Sequence, residues 1–220
     1  NFTMVYGLRV DAPFFPDTPE YSPLAEETFG VRTDIMPDGN YLWSPRIGFN
    51  WDVMGDGKGQ LRGGAGLFSG RTPYVWVSNN YARTGTRQGS ITAYDVPVNP
   101  DPYDQPTDIG GAATEELNAV DPDFKFPQTW RANIAYDHRL PWLNMVATAE
   151  VMWARSANEV TYENHNIERT GESVPFDGRP LYETVSSDYS GAYNLTNTDQ
   201  GDALTATIKF ELPYGQQPIW

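Results

Sequence analysis

From Arg46 to Val53 the chain alternates: Ile47, Phe49, Trp51 and Val53 are large and apolar, and Arg46, Gly48, Asn50 and Asp52 are small or polar. Such alternation gives a strand one apolar and one polar face. After a glycine-rich turn at 54–59 the pattern resumes, with Leu61, Ala65 and Leu67 against Gln60, Arg62, Gly64 and Gly66. The spacing predicts an antiparallel hairpin over 44–69. An earlier strand places Phe2, Met4, Tyr6, Leu8 and Val10 on one face and ends near Asp11. A second hairpin carries Trp130, Ala132, Ile134 and Tyr136 through a turn at 138–143 into a return strand over 144–156, and a last strand sets Leu204, Ala206, Ile208 and Phe210 against Thr205, Thr207 and Lys209. These are six strands, and 72–77 reads as a further short one.

Three stretches without a sustained period, 11–43, 70–127 and 157–200, separate these strands. Compact domains usually join elements in about 4–6 residues, so long stretches alternating with short turns need an explanation. Outer-membrane barrels have that layout, and strands of about 9–11 tilted residues cross a bilayer. Trp43, Trp51, Trp130, Trp142 and Trp153 lie in or beside strand ends, where an aromatic girdle would sit. The expected fold is all-β: an antiparallel transmembrane β-barrel segment of about six strands with long extracellular loops. A soluble sandwich is the rival, because a core between two sheets would take the same alternating residues.

Charge narrows the partners. With 29 acidic and 15 basic residues the net charge is −14, which argues against nucleic acid. The three long stretches hold 23 of the 29 acids, leaving the strands nearly neutral. Cysteine is absent, so neither disulfides nor thiolate metal sites brace this segment. A mean hydropathy of −0.55 does not decide between water and membrane, because transmembrane strands are apolar at alternate positions only.

The segments Leu42-Trp43-Ser44-Pro45-Arg46-Ile47-Gly48-Phe49-Asn50-Trp51-Asp52 and Leu61-Arg62-Gly63-Gly64-Ala65-Gly66-Leu67-Phe68-Ser69-Gly70-Arg71-Thr72-Pro73-Tyr74-Val75-Trp76 resemble TonB-dependent outer-membrane receptors of the Oar-like branch. Tyr6-Gly7-Leu8-Arg9 and Leu195-Thr196-Asn197-Thr198 are similar to other segments of that family. The resemblance implies a barrel of about 22 strands with a plug, and a TonB-type energy-coupling partner acting through an N-terminal region. Six strands also fall below the minimum of about eight for a single-chain barrel. Residues 1–220 are therefore expected to be a partial barrel domain, with the plug and the other strands elsewhere. The expected place is the bacterial outer membrane, with its lipid and the rest of the barrel as partners.

Within that frame, period two assigns Ile47, Phe49, Trp51, Leu61, Leu67, Trp130, Ile134, Val151, Ile208 and Phe210 to lipid, and Arg46, Asn50, Arg62, Arg131 and Lys209 to the lumen. The lumen arginines would pair with plug carboxylates or line a solute path. Short turns would face the periplasm and the three long loops the exterior. No catalytic centre is legible, so no enzyme is expected. His138 and His165 are isolated, and Gly63-Gly64-Ala65-Gly66 lacks the lysine of a phosphate loop. Asp101, Asp104, Asp108, Glu115 and Glu116 offer oxygen ligands that calcium accepts, though without EF-hand spacing. Asn194-Leu195-Thr196 fits a glycosylation acceptor. The functional expectation is a wall that moves a large, unidentified solute. The alternatives are a soluble carbohydrate-binding sandwich and a glycan-cleaving enzyme using loop carboxylates.

Overall fold

The computed structural model describes residues 1–70, 74–91, 94, 99–105, 113–141 and 145–212. Six strands form an antiparallel wall: β1 (Phe2–Asp11), β2 (Leu42–Asp52), β3 (Gly59–Ser69), β6 (Gln128–Leu140), β7 (Met145–Asn164) and β11 (Asp202–Glu211). They pair as β1-β2-β3-β6-β7, with β11 on the far side of β7. β1 and β11 each pair with one neighbour, so the sheet is open among the described residues. Between β2 and β3 the chain reverses in a compact turn: the Asp52 carboxylate accepts from the backbone N–H groups of Gly55 and Gly57, at 2.9 and 3.2 Å. Both glycines have positive φ, a conformation that side chains disfavour.

At the opposite end of the wall, the long connections fold into a cap. It holds α1 (Pro23–Phe29), α2 (Tyr74–Ala82), β4 (Thr84–Ser90), β5 (Thr114–Val120), β10 (Tyr189–Thr198) and an exposed hairpin of β8 (Ile167–Ser173) and β9 (Pro180–Thr184). Ser22 caps α1 by accepting from Ala25 N, Pro23 supplies the fixed φ of the first turn, and Gly30 at φ 68° ends it. The buried core lies in this cap rather than on the wall. Leu42, Val77, Val120, Phe124, Phe126 and Leu195 form one cluster, and Ala25, Leu117, Tyr189 and Ala192 another.

Several expectations from the sequence are corrected here. Among the described residues, the three long stretches contain helices and strands. Residues 74–77, expected in a strand, open helix α2, while 71–73 lie outside the described residues. Helical spacing buries Val77 and Asn80 on one side of α2, and that packing overrides the local β-propensity of Tyr74-Val75-Trp76-Val77. The return strand does not stop at Ser156. β7 continues to Asn164 because its outer part pairs with β10, which in turn pairs parallel with β5. β6 runs to Leu140, which shortens the expected 138–143 turn, and 142–144, including Trp142, lie outside the described residues.

One side chain joins wall to cap. Gln128, buried at the start of β6, donates from Nε2 to Trp43 O at 3.0 Å and to Ser69 Oγ at 3.2 Å, and its Oε1 accepts from Asn158 Nδ2 at 3.1 Å. A buried amide with both ends satisfied fixes the relative position of β2, β3 and β7 where the cap begins.

Candidate functional site

The register of the six wall strands sorts their side chains into transverse rows. Met4, Phe49, Gly63, Ile134, Val151 and Ala206 form one row. Phe2, Trp51, Leu61, Tyr136, Ala149 and Ile208 form the next. Both lie on the apolar face. Phe49 lies across Gly63, where an added Cβ would meet its ring at 3.0 Å, and stacks on Phe2 with ring centroids 6.3 Å apart. This aromatic covering of a strand glycine keeps the face continuous. Ile134 is 51% and Ile208 75% exposed, so no second sheet covers this face among the described residues. The sandwich alternative has no buried inter-sheet core here.

The opposite face is polar and internally bonded. Arg62 Nε donates to Asp137 Oδ2 at 2.8 Å, and its guanidinium also lies 3.6 Å from Glu150 Oε1. Asn133 Nδ2 donates to Glu150 Oε1 at 3.0 Å, and Thr148 Oγ1 donates to Asp137 Oδ1 at 2.6 Å. Gln60 donates to Asn50, and Lys209 pairs with Glu211 at 2.6 Å. The contacts among Arg62, Asn133, Asp137, Thr148 and Glu150 are partly buried, which makes them stronger than a surface pair of the same length, whereas the Gln60–Asn50 and Lys209–Glu211 contacts are exposed.

By strand register, the ten residues Ile47, Phe49, Trp51, Leu61, Leu67, Trp130, Ile134, Val151, Ile208 and Phe210 occupy the apolar face, and Arg46, Asn50, Arg62, Arg131 and Lys209 the other. Asp137 and Glu150, the partners of Arg62, were not singled out from the sequence. Strand parity placed both on the polar side, but only the pairing of β3 with β6 and β7 brings three distant positions together.

The acidic candidates do not assemble. Asp101 Oδ1 accepts from Tyr103 N at 2.9 Å and Asp104 Oδ2 from Asn99 Nδ2 at 3.0 Å, both inside one local turn. Glu115 and Glu116 are neighbours on β5, where Glu116 pairs with Arg83 and accepts from Asn118 Nδ2 at 2.9 Å. Asp108 lies outside the described residues. Among the described residues, no three His, Cys, Asp or Glu side chains gather into a metal site. Asn194 stands in β10 with its Oδ1 buried, which leaves poor access for glycosylation. At the cap rim, Arg32 hydrogen-bonds to Asp34, at 2.7 Å for the closer contact, and holds that carboxyl below its ordinary pKa. The bond from Tyr21 to Glu26 raises the Tyr21 phenol.

An antiparallel wall with one exposed apolar face, one bonded polar face, short turns at one end and a folded cap at the other defines an outer-membrane β-barrel protein. The chain belongs to the outer membrane beta barrel domain family, whose model matches residues 12–198. Its location is therefore the outer membrane. No curated protein matches the chain.

Proposed function

We propose that the chain is a stretch of wall in a TonB-dependent receptor of the Oar-like branch, and that the receptor moves a large solute across the outer membrane. One observation carries this reading: the apolar face of the six-strand wall is exposed, while on the other face Arg62, Asn133, Asp137, Thr148 and Glu150 tie β3, β6 and β7 into a polar network. A bilayer on one side and a wet, wide lumen on the other satisfy both faces at once. The open edges of β1 and β11 favour a larger assembly, because unpaired strand backbone has no hydrogen-bonding partner in lipid. Further strands and a plug would complete the wall, and the coupling partner would act outside the described residues. The likeness of the β2–β3 hairpin to TonB-dependent receptors supports the energised form of this function.

Cells lacking the gene should lose accumulation of one class among labelled siderophores, glycans and peptides. In wild-type cells a protonophore should abolish uptake of the same class while surface binding persists. Uptake of every class unchanged by the deletion would overturn the transport reading.

Topology is testable separately. Protease added to intact cells should cut the cap segment 99–105 and spare the turn around Asp56, because long loops face outward in such barrels. Cleavage at Asp56 alone would invert the orientation.

A further inference from the structure

Three arginines line the central polar face, and the wall neutralises only one of them. Arg62 is held by Asp137 and Glu150. Arg46 and Arg131 are both exposed and have no carboxylate partner among the described residues. They share a transverse row, Gly7, Arg46, Gly66, Arg131, Ala154 and Ala203, in which Gly66 separates them. Two strand spacings put their backbones about 10 Å apart.

The floor between them has no room for side chains. A Cβ at Gly66 would meet Arg46 Cβ at 2.9 Å and Pro45 O at 3.0 Å, and one at Gly64 would meet Ile47 O at 2.8 Å. Phe68 lies against the Arg46 guanidinium, 5.1 Å from its ring centroid, and Val5 and Met152 add apolar walls. Together they bound a groove of about 630 Å³, within the range of small-molecule sites, about 300–1,000 Å³.

We propose that this groove binds an amphiphilic anion whose carboxylate or phosphate bridges Arg46 and Arg131 while its apolar body lies over Gly64 and Gly66 against Met152. Guanidinium forks match both anions bidentately, and bare glycine backbone admits a flat group closely. A neutral polyol fits less well, because the nearby amide and carboxylate groups are already committed to the Arg62 network. Screening over about 8 Å at physiological ionic strength keeps the cap's negative charge from dominating at depth. The site rests on the reading that the polar face lines a lumen, but not on energised transport.

The probe is phenyl phosphate, titrated against the full-length protein in nanodiscs and followed by ligand-observed NMR. The wild type should bind saturably, Arg46→Gln with Arg131→Gln should weaken binding at least tenfold, and the double lysine variant should keep part of it. Heat-modifiable migration on gels verifies that each variant is folded. In intact cells, an Ala154→Cys variant should react with a thiol reagent and be protected by phenyl phosphate. Equal binding by the glutamine variant, or no saturable binding by the wild type, would overturn the proposal. An unreactive cysteine at 154 would do so as well, because a segment of the protein itself would then cover the groove. Binding that persists while energised uptake is absent sinks the transport reading and leaves this site standing.

Discussion

Phe124→Ala is expected to destabilise the cap by about 3–5 kcal/mol, the range for truncating a buried aromatic. Phe124 is 1% exposed and meets Phe126 edge-on, with ring centroids 5.5 Å apart. Its cluster takes Leu42 from β2, Val77 from α2, Val120 from β5 and Leu195 from β10, so the cavity would open where four elements converge. Asn40 Nδ2 donates to the carbonyls of Pro122 and Phe124, both at 2.8 Å, which limits how far the segment can collapse into the space. Hydrogen exchange should accelerate in β5 and β10 while amides of β3 and β6 keep their protection. Equal acceleration in cap and wall would mean that the two unfold as one unit.

The second large effect is Ile134→Arg. Ile134 lies on β6, in the inner part of the six-strand wall, flanked on its face by Phe49, Gly63 and Val151 along the register. A charge near the bilayer midplane of such a wall costs about 2–4 kcal/mol, falling towards zero at the interfaces. Arginine at position 132, a row nearer the cap, should cost less. Urea titration of the full-length protein in lipid vesicles measures both substitutions. If Ile134→Arg is neutral, that face does not meet lipid.

The wall was legible in the sequence because a bilayer imposes period two on every strand it contacts. Ile47 to Val53 and Trp130 to Tyr136 therefore read at once, although β2 begins earlier, at Leu42, and β6 runs on to Leu140. The cap was not legible. Thr114–Val120 places Leu117, Asn118, Ala119 and Val120 all in buried positions, so no alternation marks it as a strand. Tyr189–Thr198 pairs on both edges, parallel on one and antiparallel on the other, and again shows no amphipathic period. The polar network was half visible: Arg62 stood out as a charge on a strand. Asp137 and Glu150 lie 75 and 88 residues further along the chain and join it only through pairing. The calcium expectation came from a dense run of acids, but local turns and ion pairs with arginine engage several of them instead.

β7 is one unbroken strand of 20 residues, bonded to β11 along its inner part and to β10 along its outer part. At about 3.3 Å per residue it is roughly 66 Å long, and even tilted by about 45° it outreaches an apolar band of about 25 Å. It therefore works as a mast, standing well above the phospholipid surface with the cap hung on its upper half. On the orientation proposed above, with the cap outward, the first protein surface that an antibody or a phage tail would meet is the rigging of that mast, and a pull on it would travel down a continuous covalent backbone into the membrane.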